Sequence, residues 1–496
     1  NTTVSVNGNV SDVHTGTVSG QTGFNSFSTF DVYQGHTANL YLPEGTKNLI
    51  NLVHDKISNI DGVLNAFKDG KIGGNVFFLN PNGIAVGASG VINVGALTLA
   101  TPTKEFMDNV ISSDRAVSSQ LTKAILAGDM PLNPLGLIAI KGKINAAGGV
   151  GLMGGDIVNR GNIRTNFEVS DIVNLEDKNL ESEVLVKDGR VLIVSKNNFV
   201  NEGSIRADGS NGKNASEVNI KAGGDIALNS GVISASGEGE NSSGGKLLLW
   251  ADGKSFFNKG ASLLAKGGKS GDGGFIEFSA GKLVDLAGGL FDASSYFGKR
   301  GSVFIDPKDI VISEDFLSSG ADYNLTADNS ITLKEGKKIS TSKAGAASGN
   351  VSLTAKDILL ENNSSIDASA AAGQTAGDIT LTAKDFSDGY MVKNNSASVT
   401  LGEGVSLKGK NITVTSTADN TRLFDDDSTA ATVGERTIGE LGDTTLLGGA
   451  IVSDVDSEII IGKNSKIEAS GDVNIETLGK ANGAMKAIGT AVAVVY

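Results

Sequence analysis

The residue types that carry hydrolytic or metal chemistry are thinly spread in this chain. There is no cysteine among 496 residues, so no thiol nucleophile, thiolate ligand or disulfide exists. The three histidines, His14, His36 and His54, all precede residue 55. None stands in an HExxH or His-x3-His spacing, so neither a metallohydrolase helix nor a zinc pair is encoded locally. A Ser-His-Asp relay would need the fold to carry a distant Ser and Asp to one of them, and His14 and His54 read instead as ordinary turn or surface residues. Asp225, Asp252 and Glu277 could supply the paired carboxylates of a polysaccharide-cleaving groove. With 20% of residues charged, however, such candidates arise from composition alone. Gly148-Gly149-Val150-Gly151 and Gly267-Gly268 would cradle phosphate only at a strand-to-helix junction. No helical pattern follows them, so they read as corners. Gly271-Asp272-Gly273-Gly274 is a lone turn, not a tandem calcium repeat. The expectation is no catalytic, cofactor or metal site.

The strongest local pattern belongs to turns. Asp69–Gly95 holds three short β-favouring runs, Asn75–Leu79, Ile84–Val86 and Val91–Val94, separated by Gly73-Gly74, Asn80-Pro81-Asn82-Gly83 and Gly87–Gly90. Pro81 fixes φ and lacks an N–H, and Asn82-Gly83 suits positive φ, so strand, tight turn, strand, turn, strand is predicted.

Composition supports a thin β-rich architecture. The chain has 66 Gly, 6 Pro and 5% aromatics, yet 39% apolar residues, mostly small and branched. That suits regular packing of Val, Ile, Leu and Ala, not disorder. The net charge of −14 argues against a nucleic-acid partner, whose phosphates demand a basic face, and against an anionic membrane surface. No apolar run approaches the ~20 residues of a membrane span.

The repeats define the fold class. The phrase apolar-x-Ala-x-Gly recurs at Ile144–Gly148, Ile205–Gly209, Ile233–Gly237, Leu263–Gly267 and Ile467–Gly471. Val218–Ile220, Leu247–Leu249, Ile276–Phe278 and Val303–Ile305 follow one another at spacings of 29, 29 and 27 residues. Val351–Asp357 returns almost unchanged as Ile379–Asp385, 28 residues later. One such unit cannot bury its apolar face alone. Stacked at the ~4.8 Å strand spacing, units share one core and bond rung to rung. Doubly wound and barrel α/β folds need long helices between strands, which are absent. The chain is therefore expected to be all-β, a parallel β-helix solenoid.

Three departures from this rhythm are expected. Asn1–Leu42 reads as capping strands (Val4–Val6, Thr15–Val18, Phe30–Tyr33, Ala38–Leu42), with Phe24, Phe27 and Phe30 plugging the open end. Thr101–Leu135 reads as a short helical excursion near 101–130, with Thr101 as N-cap, Pro102 at the first helical position and Gly128 as the stop. Its apolar positions Phe106, Val110, Ile111, Val117, Leu121 and Ile125 should pack on the stack. Lys187-Asp188-Gly189-Arg190 between Val184–Val186 and Val191–Val194 predicts a protruding antiparallel hairpin near 167–199, which could contact a partner. Arg422–Thr445, with Asp425-Asp426-Asp427, reads as solvated loop. Sequons at Asn214, Asn241, Asn324, Asn362, Asn363, Asn394 and Asn411 reflect Asn and Ser content.

Two motifs carry a resemblance. Phe24-Asn25-Ser26-Phe27-Ser28-Thr29-Phe30-Asp31-Val32 and, downstream, Asn80-Pro81-Asn82-Gly83-Ile84 resemble, in order, the signatures of the secretion domain of two-partner secretion exoproteins (TpsA), the filamentous haemagglutinin type. Asn133-Pro134-Leu135 partly matches a further turn motif of that family. The wording of Gly70–Thr101 is most similar to the large adhesin and leukotoxin-like branch, which includes biofilm-matrix adhesins. The resemblance implies right-handed coiling and a two-partner secretion domain over 1–310, ending near Asp306-Pro307, with a continuing repeat shaft over 311–496. It implies export through an outer-membrane TpsB-type β-barrel carrying POTRA domains, by way of the periplasm, to the medium or bacterial cell surface. It also implies a monomer that meets a host surface or exopolysaccharide ligand. Asn25, Phe27, Asn80, Pro81, Asn82, Gly83, Asn133 and Pro134 become the secretion-motif residues, acting as a folding nucleus or as a transporter contact. The start inside a β-like segment and the apolar run Ala487–Tyr496 suggest a mature N-terminus without its signal peptide, and a longer protein beyond. Two alternatives remain: a β-helical polysaccharide-active enzyme, against which the scarcity of aromatics counts, and a cytolysin, haem-acquisition or growth-inhibition exoprotein of the same family.

Overall fold

The computed structural model describes residues 2–112, 116–167, 186–210, 212–317, 320–342, 347–386, 392–419 and 452–480. The chain divides into two compact units, residues 1–307 with 316–323, and residues 308–315 with 324–496.

The first unit is a parallel β-helix with three strands per turn. One face stacks Thr22–Phe27, Asn48–Val53, Asn75–Leu79, the second halves of Val91–Ala100 and Lys143–Gly154, Arg190–Ser195, Glu217–Ala222, Lys246–Ala251 and Phe275–Ala280. A second stacks Ser58–Ile60, Ile84–Val86, Leu137–Ile140, Asp156–Asn159, Phe199–Asn201, Ile226–Leu228 and Lys254–Asn258. A third runs from Val10–His14 through Thr37–Tyr41 and Val63–Lys68 to Leu290–Asp292. Every other residue points inward, so Val218, Leu247 and Ile276 stack in register, as do Ile205, Ile233 and Leu263. All six are buried. The sequence spacing of these phrases is therefore the length of one turn.

The first end is closed by antiparallel pairs. Thr3–Asn7 folds back on Val10–His14, and Thr17–Ser19 on Thr22–Phe27. Phe30–Tyr33 forms no strand; Val32 makes one isolated bridge to Ile60. Phe24 is buried, and Phe30 packs edge-on between Phe27 and Phe78, centroids 5.1 Å apart in each pair.

The helical excursion leaves the first face after Ala100 and returns at Leu137. Helix α1 spans Lys104–Asp108 and helix α2 Ser119–Ala127. The N-cap of α1 is Thr103, not Thr101, and Ser118 caps α2. Thr101 is held in the stack by its N–H on the Met153 carbonyl (2.9 Å), and Pro102 bridges to Leu132. Gly128 ends α2 with φ 77°, as its position predicts. The helices cover the outer side of the first face: Phe106, Met107, Ile125 and Leu126 pack on Phe24, Ile50, Leu52, Phe77 and Leu79. That is why Asn48–Val53 is buried on both sides and does not alternate.

Lys187–Arg190 does not head a protruding antiparallel hairpin. Lys187–Arg190 does turn tightly, with Asp188 at φ 58° and Gly189 at φ 73° and the Arg190 N–H on the Lys187 carbonyl (3.1 Å). Arg190–Ser195, however, is a rung of the first face, paired in parallel with Gly149–Gly154 and Val218–Ala222. Its apolar Val191 and Ile193 complete the core, and that burial decides the pairing. Val184 and Phe167's successors up to residue 185 lie outside the described residues.

The second unit repeats the principle. Val351–Ala355 and Ile379–Asp385 stack in register, Val351 on Ile379 and Ala355 on Ala383. Ser365–Asp367, Ser406–Gly409 and Lys466–Ala469 form a second face. Asp357–Leu360, Val392–Leu401 and Val452–Ile461 form a third. Asp425–Asp427 and Ala487–Tyr496 fall outside the described residues.

Candidate functional site

The turn Asn80-Pro81-Asn82-Gly83 joins the first face to the second. Asn80 is wholly buried. Its Nδ2 donates to the Lys56 carbonyl (2.7 Å) and Ser58 Oγ (3.0 Å), both on the preceding turn of the solenoid. Its Oδ1 accepts from the Asn82 N–H at 2.9 Å, an Asx-turn, and the Gly83 N–H closes the loop on the Asn80 carbonyl at 3.3 Å. Asn82 Nδ2 reaches the His54 carbonyl at 2.8 Å. Gly83 has φ 125°, which a side chain resists.

Asn133-Pro134-Leu135-Gly136 sits directly on the next turn of the solenoid, since Ile84 pairs with Ile138. The Leu135 N–H donates to Asn133 Oδ1 (3.1 Å) and the Gly136 N–H to the Asn133 carbonyl (3.0 Å). Asn133 Nδ2 donates to the Pro81 carbonyl at 2.7 Å, and Asn197 Nδ2 to the Pro134 carbonyl at 2.8 Å. Proline withholds a donor and leaves a carbonyl, and in both cases the next rung's asparagine satisfies it. The partial motif at 133 is thus the structural counterpart of the first.

Asn25 lies inside the stack beneath Asn51. Its Nδ2 donates to Asn51 Oδ1 (2.9 Å), and Asn51 Nδ2 to the Phe77 carbonyl (3.2 Å). Both amides are buried and paired, as burial requires. Phe27 is half-buried at the rim of this column. Asn51, Ser58 and Asn197 were not singled out by sequence; the 26-residue step from Asn25 to Asn51 is the signal that would have found the first.

Lys187–Arg190 is packed, not extended. The Gly189 N–H donates to the Gly148 carbonyl (3.0 Å), Thr165 Oγ1 to the Gly189 carbonyl (2.6 Å) and Ser216 Oγ to the Asp188 carbonyl (2.7 Å).

Two of the acid–base candidates accept hydrogen bonds from neighbouring residues of the stack. Asp225 Oδ1 accepts the Lys254 N–H (2.8 Å), and Asp252 accepts Trp250 Nε1 (2.8 Å). Burial, with Asp306 nearby, pushes the Glu277 carboxyl above the usual range. His14 stacks on Tyr41, centroids 4.6 Å apart. His54 Nε2 lies 3.1 Å from Ser26 Oγ, and its Nδ1 lies 3.8 Å from Asp108. The fold thus does assemble a Ser, His and Asp, but Asp108 stands beyond hydrogen-bond length and cannot fix the imidazole tautomer. Among the described residues no group of three or more His, Asp or Glu is placed to hold a metal, and no helix is long and apolar enough to cross a membrane.

The family model of the TPS secretion domain matches residues 1–249. The crystal structure of the HMW1 secretion domain from Haemophilus influenzae is similar at 20% identity and a TM-score of 0.44, covering 76% of this chain and 97% of that one. No curated protein sequence matches significantly.

Proposed function

The chain belongs to the TPS secretion-domain family and is a secreted, TpsA-type two-partner exoprotein, and from that premise we propose that it is the secretion domain and proximal shaft of a large filamentous adhesin. The match over residues 1–249 carries the reading. In it, an outer-membrane TpsB-type barrel with periplasmic POTRA domains takes the N-terminal region, and the chain crosses unfolded. The solenoid then assembles outside, rung upon rung, and the shaft supports attachment or biofilm. A stack held by nearest-neighbour contacts suits such sequential folding, because each completed turn presents the edge on which the next one pairs.

The asparagine corners act within that process as folding latches. The Asn80 side chain is spent on the preceding rung and Asn133 on the Asn80 turn. A chain emerging N-terminus first could therefore lock each corner as soon as it arrives.

Export is the test. The chain, with a signal peptide, is expressed with and without a cognate barrel partner, as wild type and as Asn80→Ala/Asn82→Ala. The expected result is partner-dependent appearance in the medium and a double variant that loses both export and β-structure. A folded, β-rich double variant that is not exported would instead make the turn a transporter contact. Export that ignores the partner would overturn the proposal.

A further inference from the structure

The outer side of the first face changes character along the solenoid. On its early turns helices α1 and α2 cover it, and Val194 is the last residue of that side packed against them. From Glu217–Ala222 onward, neither helix reaches it. Outward side chains there line up by register. Leu248, Glu277 and Phe304 form one column on three successive turns, and Lys221, Trp250 and Ser279 form the next. Phe275 precedes Glu277 by two residues on the same strand and follows Lys246 of the turn before. Turns lie ~4.8 Å apart, and like-facing residues of a strand about 7 Å apart. Glu277 therefore has Leu248 on one side, Phe304 on the opposite side, Phe275 along its strand and Trp250 on the diagonal.

These are unusual neighbours on a water-facing sheet, which ordinarily carries polar residues. Trp250, the sole tryptophan of the chain, is 37% exposed, and its Nε1–H on Asp252 Oδ1 (2.8 Å) fixes the indole. Leu248, Phe275, Glu277 and Phe304 are half-buried. Phe275 also lines a groove with Glu217, Lys246 and Arg300. Further back on the same side, Phe106, Met107, Ile125 and Leu126 of the helices pack on Phe77 and Leu79. The open stretch thus continues a surface on which apolar side chains already dock.

Charge narrows the occupant. Among the described residues no lysine or arginine lies within ion-pair distance of Glu277. Burial among its neighbours raises its pKa, the Asp306 carboxylate raises it further, and a hydrogen bond with Ser279 offsets part of the rise. Lys221 and Lys246 stand one turn earlier, beside Trp250 and Phe275. Negative charge therefore gathers on the Phe304 side, with Asp306 two residues on. A cation is what this carboxylate lacks, and ring faces attract cations as well. A guanidinium suits both, because it stacks on rings and pairs bidentately with a carboxylate. An ammonium holds its water more tightly. A neutral or acidic ligand would bury the Glu277 charge uncompensated.

We propose that this outer face binds a partner protein through an arginine flanked by apolar residues. The guanidinium meets the Glu277 carboxylate between Phe275 and Phe304, and the apolar flanks lie on Leu248 and Trp250. The inference goes beyond the secretion reading and rests on no step of it, since it concerns the folded first unit.

The sole tryptophan reports on the site. Purified folded chain is titrated at physiological salt with acetyl-Gly-Leu-Arg-Leu-Gly-amide and with its lysine counterpart, and Trp250 emission is followed. The two peptides carry the same charge, so general attraction to the net charge of −14 is equal for both. The arginine peptide should change the emission saturably, and the lysine peptide should bind roughly fivefold more weakly. Glu277→Gln, which keeps the shape and removes the charge, should weaken arginine-peptide binding roughly tenfold and erase the preference. Phe304→Ala should weaken it roughly threefold, with Trp250 kept as the reporter. Both variants change outward side chains, and unchanged circular dichroism and melting confirm their fold. No saturable change in the wild type, equal binding of the two peptides, or Glu277→Gln binding like the wild type would each overturn the proposal.

Discussion

Two corners of the same solenoid, one turn apart, use the same residues differently. Asn80-Pro81-Asn82-Gly83 and Asn133-Pro134-Leu135-Gly136 both close with an Asx-turn and a four-residue loop. In the first, the leading asparagine is buried and its amide points back to Lys56 and Ser58. In the second, the side-chain amide nitrogen donates to the proline carbonyl of the first corner and not into the core, and the third position, Leu135, is 88% exposed. The first corner is anchored in the core, and the second is tied to the first. The difference shows that a turn motif acquires its weight from what its side chains reach, not from the turn it encodes.

Substitutions at the two corners test this contrast. The largest effect is expected for Asn80→Ala, which strands the buried Ser58 hydroxyl and removes four side-chain hydrogen bonds. Urea unfolding should show a loss of about 3 kcal/mol. Next come the two glycines, each costing about 2 kcal/mol when changed to Ala, for different reasons. At Gly83 the penalty is φ 125° itself. At Gly136 the new Cβ collides with the buried Thr101 side chain, so only Gly136→Ala should shift the Thr101 methyl resonance. Asn133→Ala should cost about 1 kcal/mol, because the Pro81 carbonyl and the Leu135 N–H lose their partner on the exposed side, where water replaces it. Were it to cost as much as Asn80→Ala, the two corners would be equivalent and the contrast would fail. Leu135→Asn, which restores the full motif at an exposed position, should change stability by less than about 0.5 kcal/mol. A gain well above that would mean that the new amide finds an anchor as Asn82 does at the His54 carbonyl.

Much of the architecture was legible because the solenoid is local in its logic. The repeat phrases state the rung length, and Val351–Ala355 meets Ile379–Ala383 as their identity implies. The errors arose where a local signal met a tertiary demand. Lys187–Arg190 has the dipeptide of a hairpin and its φ angles. The next strand nonetheless joins the stack, since Val191 and Ile193 bury more apolar surface as a rung than as a free arm. Thr101 looked like a cap, yet its N–H is taken by the rung at Met153, so capping passes to Thr103. The six-residue buried run Asn48–Val53 could be read as strand, but not that two helices cover its outer side.

From sequence alone came the β class, the length of the turn, the corner glycines and prolines, and the family signatures, because these depend on neighbours along the chain or on spacing that repeats. Tertiary structure alone decided that Asn133 reaches Pro81 across 52 residues, that Asn197 reaches Pro134 across 63, and that Glu217, Phe275 and Arg300 line one groove. Those partners meet only after insertions of unequal length are looped out of the stack, and no periodicity records where an insertion ends.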